Sequence, residues 1–218
     1  MKKIFLTVLS SFILLSTFAQ SDKYHNAMLQ KVQAMDTTHN IDNIKDLAGA
    51  FERIGDAEKT QWLPYYYAAL AHVNTGYMLS MGKMGGMADQ LDPIADKADA
   101  LLSKAEALSD KNSEIYIVRK MIATLRMMGD PMNRYMTYGP QAQEALETAK
   151  RLNPENPRVY LLEAQDKFYT PEQYGGSKEE AKKLFEQAGK KYETFKPASD
   201  IDPNWGRPIM QYIMSQMK

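Results

Sequence analysis

Cysteine is missing from all 218 positions of the chain. Its absence excludes disulfides, thiolate metal sites, a cysteine nucleophile and a lipidated N-terminal cysteine, so packing alone must hold the fold together. Histidine is scarce: His25, His39 and His72 are the full set. No two have the i, i+4 spacing of a zinc-binding helix, and no H-E-x-x-H occurs. An excess of one charge is missing too, with 27 Lys and Arg against 27 Asp and Glu. A nucleic-acid partner would need a basic footprint, and the even mixing of charge leaves no polybasic patch for a membrane. G-x-S-x-G, G-x-x-x-x-G-K-[ST] and G-x-G-x-x-G do not occur. Asp200 and Asp202 are near neighbours, but no base or nucleophile matches them, and they read as turn residues. We therefore expect no catalytic residue, no enzyme activity, no cofactor and no metal.

A long apolar run is also lacking. The nearest is Ile4 to Phe18 in "MKKIFLTVLSSFILLSTFAQS", 15 residues broken by Ser and Thr, against about 20 needed to span a bilayer. Lys2 and Lys3 before it, and Thr17-Phe18-Ala19 after it, make residues 1–19 a secretory signal peptide cleaved after Ala19. Residues 20–218 then form one exported domain without a transmembrane segment. The periplasm is the first expectation, and release outside the cell the second.

What the chain does contain is a recurring helix face. Ala142-x3-Leu146-x2-Ala149 has copies in Ala98-x3-Leu102-x2-Ala105 and Ala181-x3-Phe185-x2-Ala188, with a looser one in Leu47-x3-Phe51-x2-Ile54. Spacing of four then three puts each trio on one side of a helix. Small residues at the ends let a neighbouring helix come close, and the large middle residue fills the gap. A helix marked by tyrosine precedes each copy: Tyr24-x3-Met28, Tyr65-x3-Ala69, Tyr116-x3-Lys120 and Tyr160-x3-Ala164. From middle residue to next tyrosine the separation is always 14 (51 to 65, 102 to 116, 146 to 160), whereas from tyrosine to middle residue it varies as 27, 37, 30 and 25. The surplus therefore falls inside each unit. We read it as inserted turns near Asn40, Gly86, Tyr138 and Tyr174, clustered on one edge and touching through Tyr135, Tyr138, Tyr169 and Tyr174. Asp92-Pro93, Asn156-Pro157 and Thr170-Pro171 read as helix starts, and Ser177 with Glu180 as a capping box.

Over residues 22–196 the pattern resembles the tetratricopeptide repeat family, in which an aromatic and a small residue mark the first helix and A-x3-F-x2-A the second. The resemblance implies an all-α fold: a right-handed stack of about four antiparallel helix pairs, a tetratricopeptide-like α-solenoid. The repeats would run over about 23–60, 61–111, 112–155 and 156–196, followed by a loop and capping helix in 197–218 that covers the stack with Ile209, Ile213, Met210 and Met217. It also implies that the first helices line a concave groove. The residues that would face it are Tyr66, Leu70, Val73 and Asn74, then Ile117 and Met121, then Leu161, Gln165, Phe168 and Tyr169, with Tyr138 and Tyr174 added from the turns.

An apolar, aromatic groove with a few amides suits a peptide or partner protein. The leading expectation is an exported, non-catalytic interaction module holding such a segment. A second reading places a small ligand, a glycan or lipid fragment, between the aromatic turns. A third takes Met78, Met81, Met84 and Met87 as soft thioether ligands for Cu(I), although Gly82, Gly85 and Gly86 interrupt the helix that would align them.

Overall fold

The computed structural model describes residues 22–83 and 85–217. The signal peptide expected over 1–19, and Met84 of the methionine run, lie outside the described residues. Helix α1 spans 22–37. It is followed by α2 (Ile41–Glu58), α3 (Trp62–Ser80), α4 (Ala88–Leu108), α5 (Ser113–Gly129), α6 (Pro131–Leu152), α7 (Pro157–Tyr169), α8 (Lys178–Thr194) and α9 (Arg207–Gln216), with a short 3-10 turn at Glu172–Tyr174. The architecture is all-α: four antiparallel pairs, α1/α2 to α7/α8, stack in a right-handed solenoid, and α9 closes the C-terminal end. Among the described residues no helix is long and apolar enough to cross a membrane.

The repeated faces form the core. Ala98, Leu102 and Ala105, Ala142, Leu146 and Ala149, and Ala181, Phe185 and Ala188 are all buried. Close approach of helices depends on missing side-chain atoms as well. A Cβ on Gly55 would sit 2.7 Å from the Tyr65 ring, and one on Gly76 would sit 2.6 Å from Leu125. These two glycines set the α2–α3 and α3–α5 contacts.

The surplus length inside the second and third pairs is helix rather than turn. Helix α4 begins at Ala88, with Pro93 in its interior, and α6 begins at Pro131, with Pro140 in its interior. Pro93 therefore does not start a helix as expected. Its ring removes one helical hydrogen bond, but Leu91 and Ala95 on either side are fully buried, and packing outweighs that loss. In the third pair the connection shrinks to Asp130, whose side chain caps α6 while Pro131 takes the first helical position. Tyr135 and Tyr138 thus belong to α6, not to a turn. Tyr135 packs along its own helix against Gly139, Tyr138 lies under Arg134, and Tyr169 meets Phe168. The expected four-tyrosine cluster is replaced by these separate contacts. At the C-terminus α9 buries Met210 and Ile213, while Ile209 is exposed.

Candidate functional site: a groove half filled by its own chain

Residues spaced by three and four share a face along each first helix. On α3 the stripe is Tyr66, Leu70, Asn74, Tyr77 and, just beyond the helix, Met81. On α5 it is Ile117, Met121, Thr124 and Met128, and on α7 it is Leu161, Gln165 and Phe168, with Tyr169 beside it. The N-terminal half of every stripe is buried: Tyr66, Leu70, Ile117, Met121 and Leu161. The C-terminal half emerges. Asn74, Tyr77, Thr124, Met128, Gln165 and Phe168 are half-buried, and Met81 and Tyr169 are exposed.

The segment between α8 and α9 covers part of the first half, at Tyr66 and Leu161. Trp205 Nε1 donates to Tyr66 Oη at 2.8 Å. Tyr67 Oη donates to the Ile201 carbonyl at 3.0 Å, and Tyr192 Oη to the Trp205 carbonyl at 2.9 Å. Below them lies a buried ion pair, with Arg158 Nη2 donating to Glu114 Oε1 at 2.6 Å and Nε to Oε2 at 2.9 Å. The Arg158 guanidinium also lies 4.7 Å from the Phe195 ring and 5.7 Å from the Trp205 ring. Asn156 Nδ2 completes the Glu114 shell at 2.7 Å. Burial alone would lower the Arg158 pKa, but the Glu114 carboxylate outweighs it and holds the guanidinium above its usual value. Burial, reinforced by Glu114, pushes the Tyr66 phenol far up, so it stays a neutral donor. Glu114 accepts that proton at 3.1 Å.

The open half is braced at its floor. Tyr77 Oη donates to the Met121 carbonyl at 3.0 Å, tying α3 to α5, and burial raises this phenol well above its ordinary range. Lys120 Nζ reaches Asp166 at 2.6 Å, tying α5 to α7. Phe168 meets Tyr169 edge-on at 5.0 Å and Phe185 at 6.4 Å. Tyr212 of α9 borders this end: partial burial first, then the neighbouring Tyr212, raises the Tyr169 phenol. Tyr138 is half-buried on α6 and Tyr174 exposed in the 3-10 turn.

His25 and His72 are each engaged by a carboxylate. His25 Nε2 lies 2.6 Å from Asp200. His72 is on another face of α3, 3.1 Å from Glu52, which also binds Lys97 at 2.6 Å. Met87 is buried in the core while Met81 is exposed, so these two members of the methionine run do not face one site. Two clefts lie elsewhere. One of ≈ 550 Å³ between α1 and α2 is lined by Lys31, Ala34, Asp46, Leu47, Ala50 and Arg53, among others. One of ≈ 300 Å³ between α4, α5 and α6 includes Tyr116, Arg119 and Arg126. Both of those arginines are already paired with acids of α4.

The fold defines a class: an all-α helical-repeat protein whose C-terminal segment folds back onto the first helices of its second and fourth pairs. No protein-family model matches the chain, and no curated protein sequence does. Among solved structures it is similar to the HusA haemophore from Porphyromonas gingivalis, at 32% identity and a TM-score of 0.77, over 89% of this chain and 92% of that one. The chain belongs to the family of this haemophore. That relationship overturns the expectation of a peptide-binding module and favours a small ligand. Part of the surface on which a peptide was expected to lie is also taken by the chain itself, with Trp205 bonded to Tyr66 and Gly206 against Leu161.

Proposed function

We propose that the protein is an exported carrier that takes haem as cargo in the open half of the groove and catalyses nothing. The observation that carries this reading is the 32% identity to a haemophore over 89% of the chain. The chemistry of the groove supports it. A porphyrin is a broad, flat, apolar ring with two carboxylates on one edge. Aromatic rings at Phe168 and Tyr169 offer stacking surface, and the thioether of Met128 offers adaptable apolar contact. Tyrosine and methionine are both known haem-iron ligand types, and Tyr169 at the end of α7 is an exposed tyrosine. The carboxylates would remain in water at the rim. Of the residues expected to bind, Asn74, Gln165 and Tyr169 border this space. Tyr66, Leu70, Ile117, Met121 and Leu161 are buried, Tyr66 and Leu161 against the C-terminal segment.

The α1–α2 cleft is the weaker seat. It offers Lys31 and Arg53 to carboxylates, but its apolar residues are Ala34, Leu47 and Ala50, with no aromatic ring. The signal-peptide pattern supports export, with the periplasm or cell exterior as the working compartment. We also infer that the helix pairs are diverged tetratricopeptide repeats, because the Ala-x3-Leu/Phe-x2-Ala faces recur at corresponding places in the stack.

Absorbance titration of the mature chain with ferric haem tests the proposal. The parent is expected to give a saturable Soret shift. The double variant Phe168→Ala/Tyr169→Ala should bind at least about tenfold more weakly, equivalent to ~1.4 kcal/mol. Lys31→Ala/Arg53→Ala should leave the affinity within about twofold, well under that 1.4 kcal/mol. A parent protein that gives no saturable change removes the proposal.

A further inference from the structure

In a chain without cysteine, methionine carries all the sulfur, and the described methionines range from buried to almost fully exposed. Met132, Met136 and Met81 are 89%, 80% and 75% exposed. Met28, Met87, Met121 and Met210 are buried. Met132 and Met136 are one turn apart on the same face of α6, with the exposed Tyr135 beside them. Met81 ends α3 at the rim of the open groove. The segment that follows Met81 is pinned to the start of α6: Met87 N–H donates to the Gly129 carbonyl at 2.9 Å, and Gly85 packs against Pro131. Three thioethers therefore stand in water along the edge where the α3–α4 and α5–α6 connections meet.

Exposed large apolar side chains of this kind do nothing for the core, and the local fold does not depend on them. The start of α6 is held instead by the Asp130 cap and by Arg134, which grips Asp92 through two hydrogen bonds of 2.6 and 2.8 Å. A thioether already in water loses little when it becomes polar, whereas a sulfoxide in the core disrupts packing.

We propose that Met81, Met132 and Met136 form a peroxide-accepting modification site that protects the methionines of the core. The sulfur lone pair attacks one peroxide oxygen and the O–O bond breaks. That oxygen becomes the sulfoxide oxygen, and the other leaves as water after taking up the proton of its partner. Sulfur is oxidised by two electrons and hydrogen peroxide is reduced. The product is reversible by methionine sulfoxide reduction, so the site can be reset. The inference goes beyond haem carriage and does not require it.

The test treats the mature chain with limiting hydrogen peroxide and reads sulfoxide at every methionine by peptide mass spectrometry, with melting temperature alongside. Met81, Met132 and Met136 should oxidise at least about tenfold faster than Met28, Met87, Met121 and Met210. Melting temperature should stay within about 2 °C when those three are converted. The variant M81L/M132L/M136L, whose substitutions lie in solvent, should fold like the parent. At the same peroxide dose it should accumulate sulfoxide at half-buried and core methionines and melt lower. Three outcomes would each overturn the proposal: even oxidation of exposed and buried methionines, a fall in melting temperature caused by the three surface sulfoxides themselves, or a triple variant as peroxide-resistant as the parent. None of these depends on whether haem binds.

Discussion

Tyr66 and Tyr169 show how differently two groove tyrosines can be used. Tyr66 is 0% exposed and sits between Glu114 and Trp205 in a chain of hydrogen bonds. Tyr66→Ala should cost about 3–5 kcal/mol, the range for removing a large buried ring, as measured by chemical denaturation. Arg158→Ala should cost about as much, because it leaves the Glu114 carboxylate largely buried without its partner. Tyr169→Ala should leave stability almost unchanged and act on haem affinity instead. The helical stripe that holds Tyr66 is legible from spacing alone. Its cover is not, because the contact joins residues 139 positions apart and the covering segment, "KPASDIDPNWGRP", has no periodicity. Pro, Asp and Gly mark that segment as a loop but do not say where it lies. Trp205 is the available clue: a large aromatic in a polar loop needs somewhere to bury its ring.

Among the elements, the second helices are the most readable because their Ala-x3-Leu/Phe-x2-Ala faces are local and strict. Ala149→Leu should cost about 1–3 kcal/mol by overpacking the close approach of α6, again read from denaturation midpoints. Helix starts are less readable. Proline before a helix pattern signals a boundary only when tertiary packing does not override it, and at Pro93 it does. Asp130→Ala should cost about 0.5–2 kcal/mol by removing the cap that starts α6. The α4–α6 link also makes a prediction about pH. Its hydrogen bond to Arg134 holds the Asp92 carboxyl below its usual pKa, against the opposing effect of burial. A depressed carboxylate stabilises the fold above the pKa it has when unfolded, and that stabilisation is lost as pH falls through the lower, folded value. Asp92→Asn should therefore be less stable than the parent at neutral pH, and the gap should close below about pH 4. A gap that persisted unchanged at low pH would show that the charge of Asp92 plays no part.

For the whole molecule, repeated short-range spacing makes the solenoid readable in the sequence, while the cargo is not. An aromatic groove with amides and thioethers can accept a peptide, a lipid or a flat ring, and its chemistry is common to all three. Against the peptide expectation, Tyr66 and Leu161 are covered by Trp205 and Gly206, a long-range fact. That expectation fails because the relative at 32% identity is a haemophore. What stays open is short, aromatic and bordered by α9. Hydrogen–deuterium exchange on the mature chain, with and without ferric haem, tests the proposed haem site most directly. Haem in the groove predicts new protection at the C-terminal ends of α3, α5 and α7, around 74–81, 124–128 and 165–169, and around Tyr212. Protection confined to the α1–α2 cleft, or none anywhere at saturating haem, would contradict it.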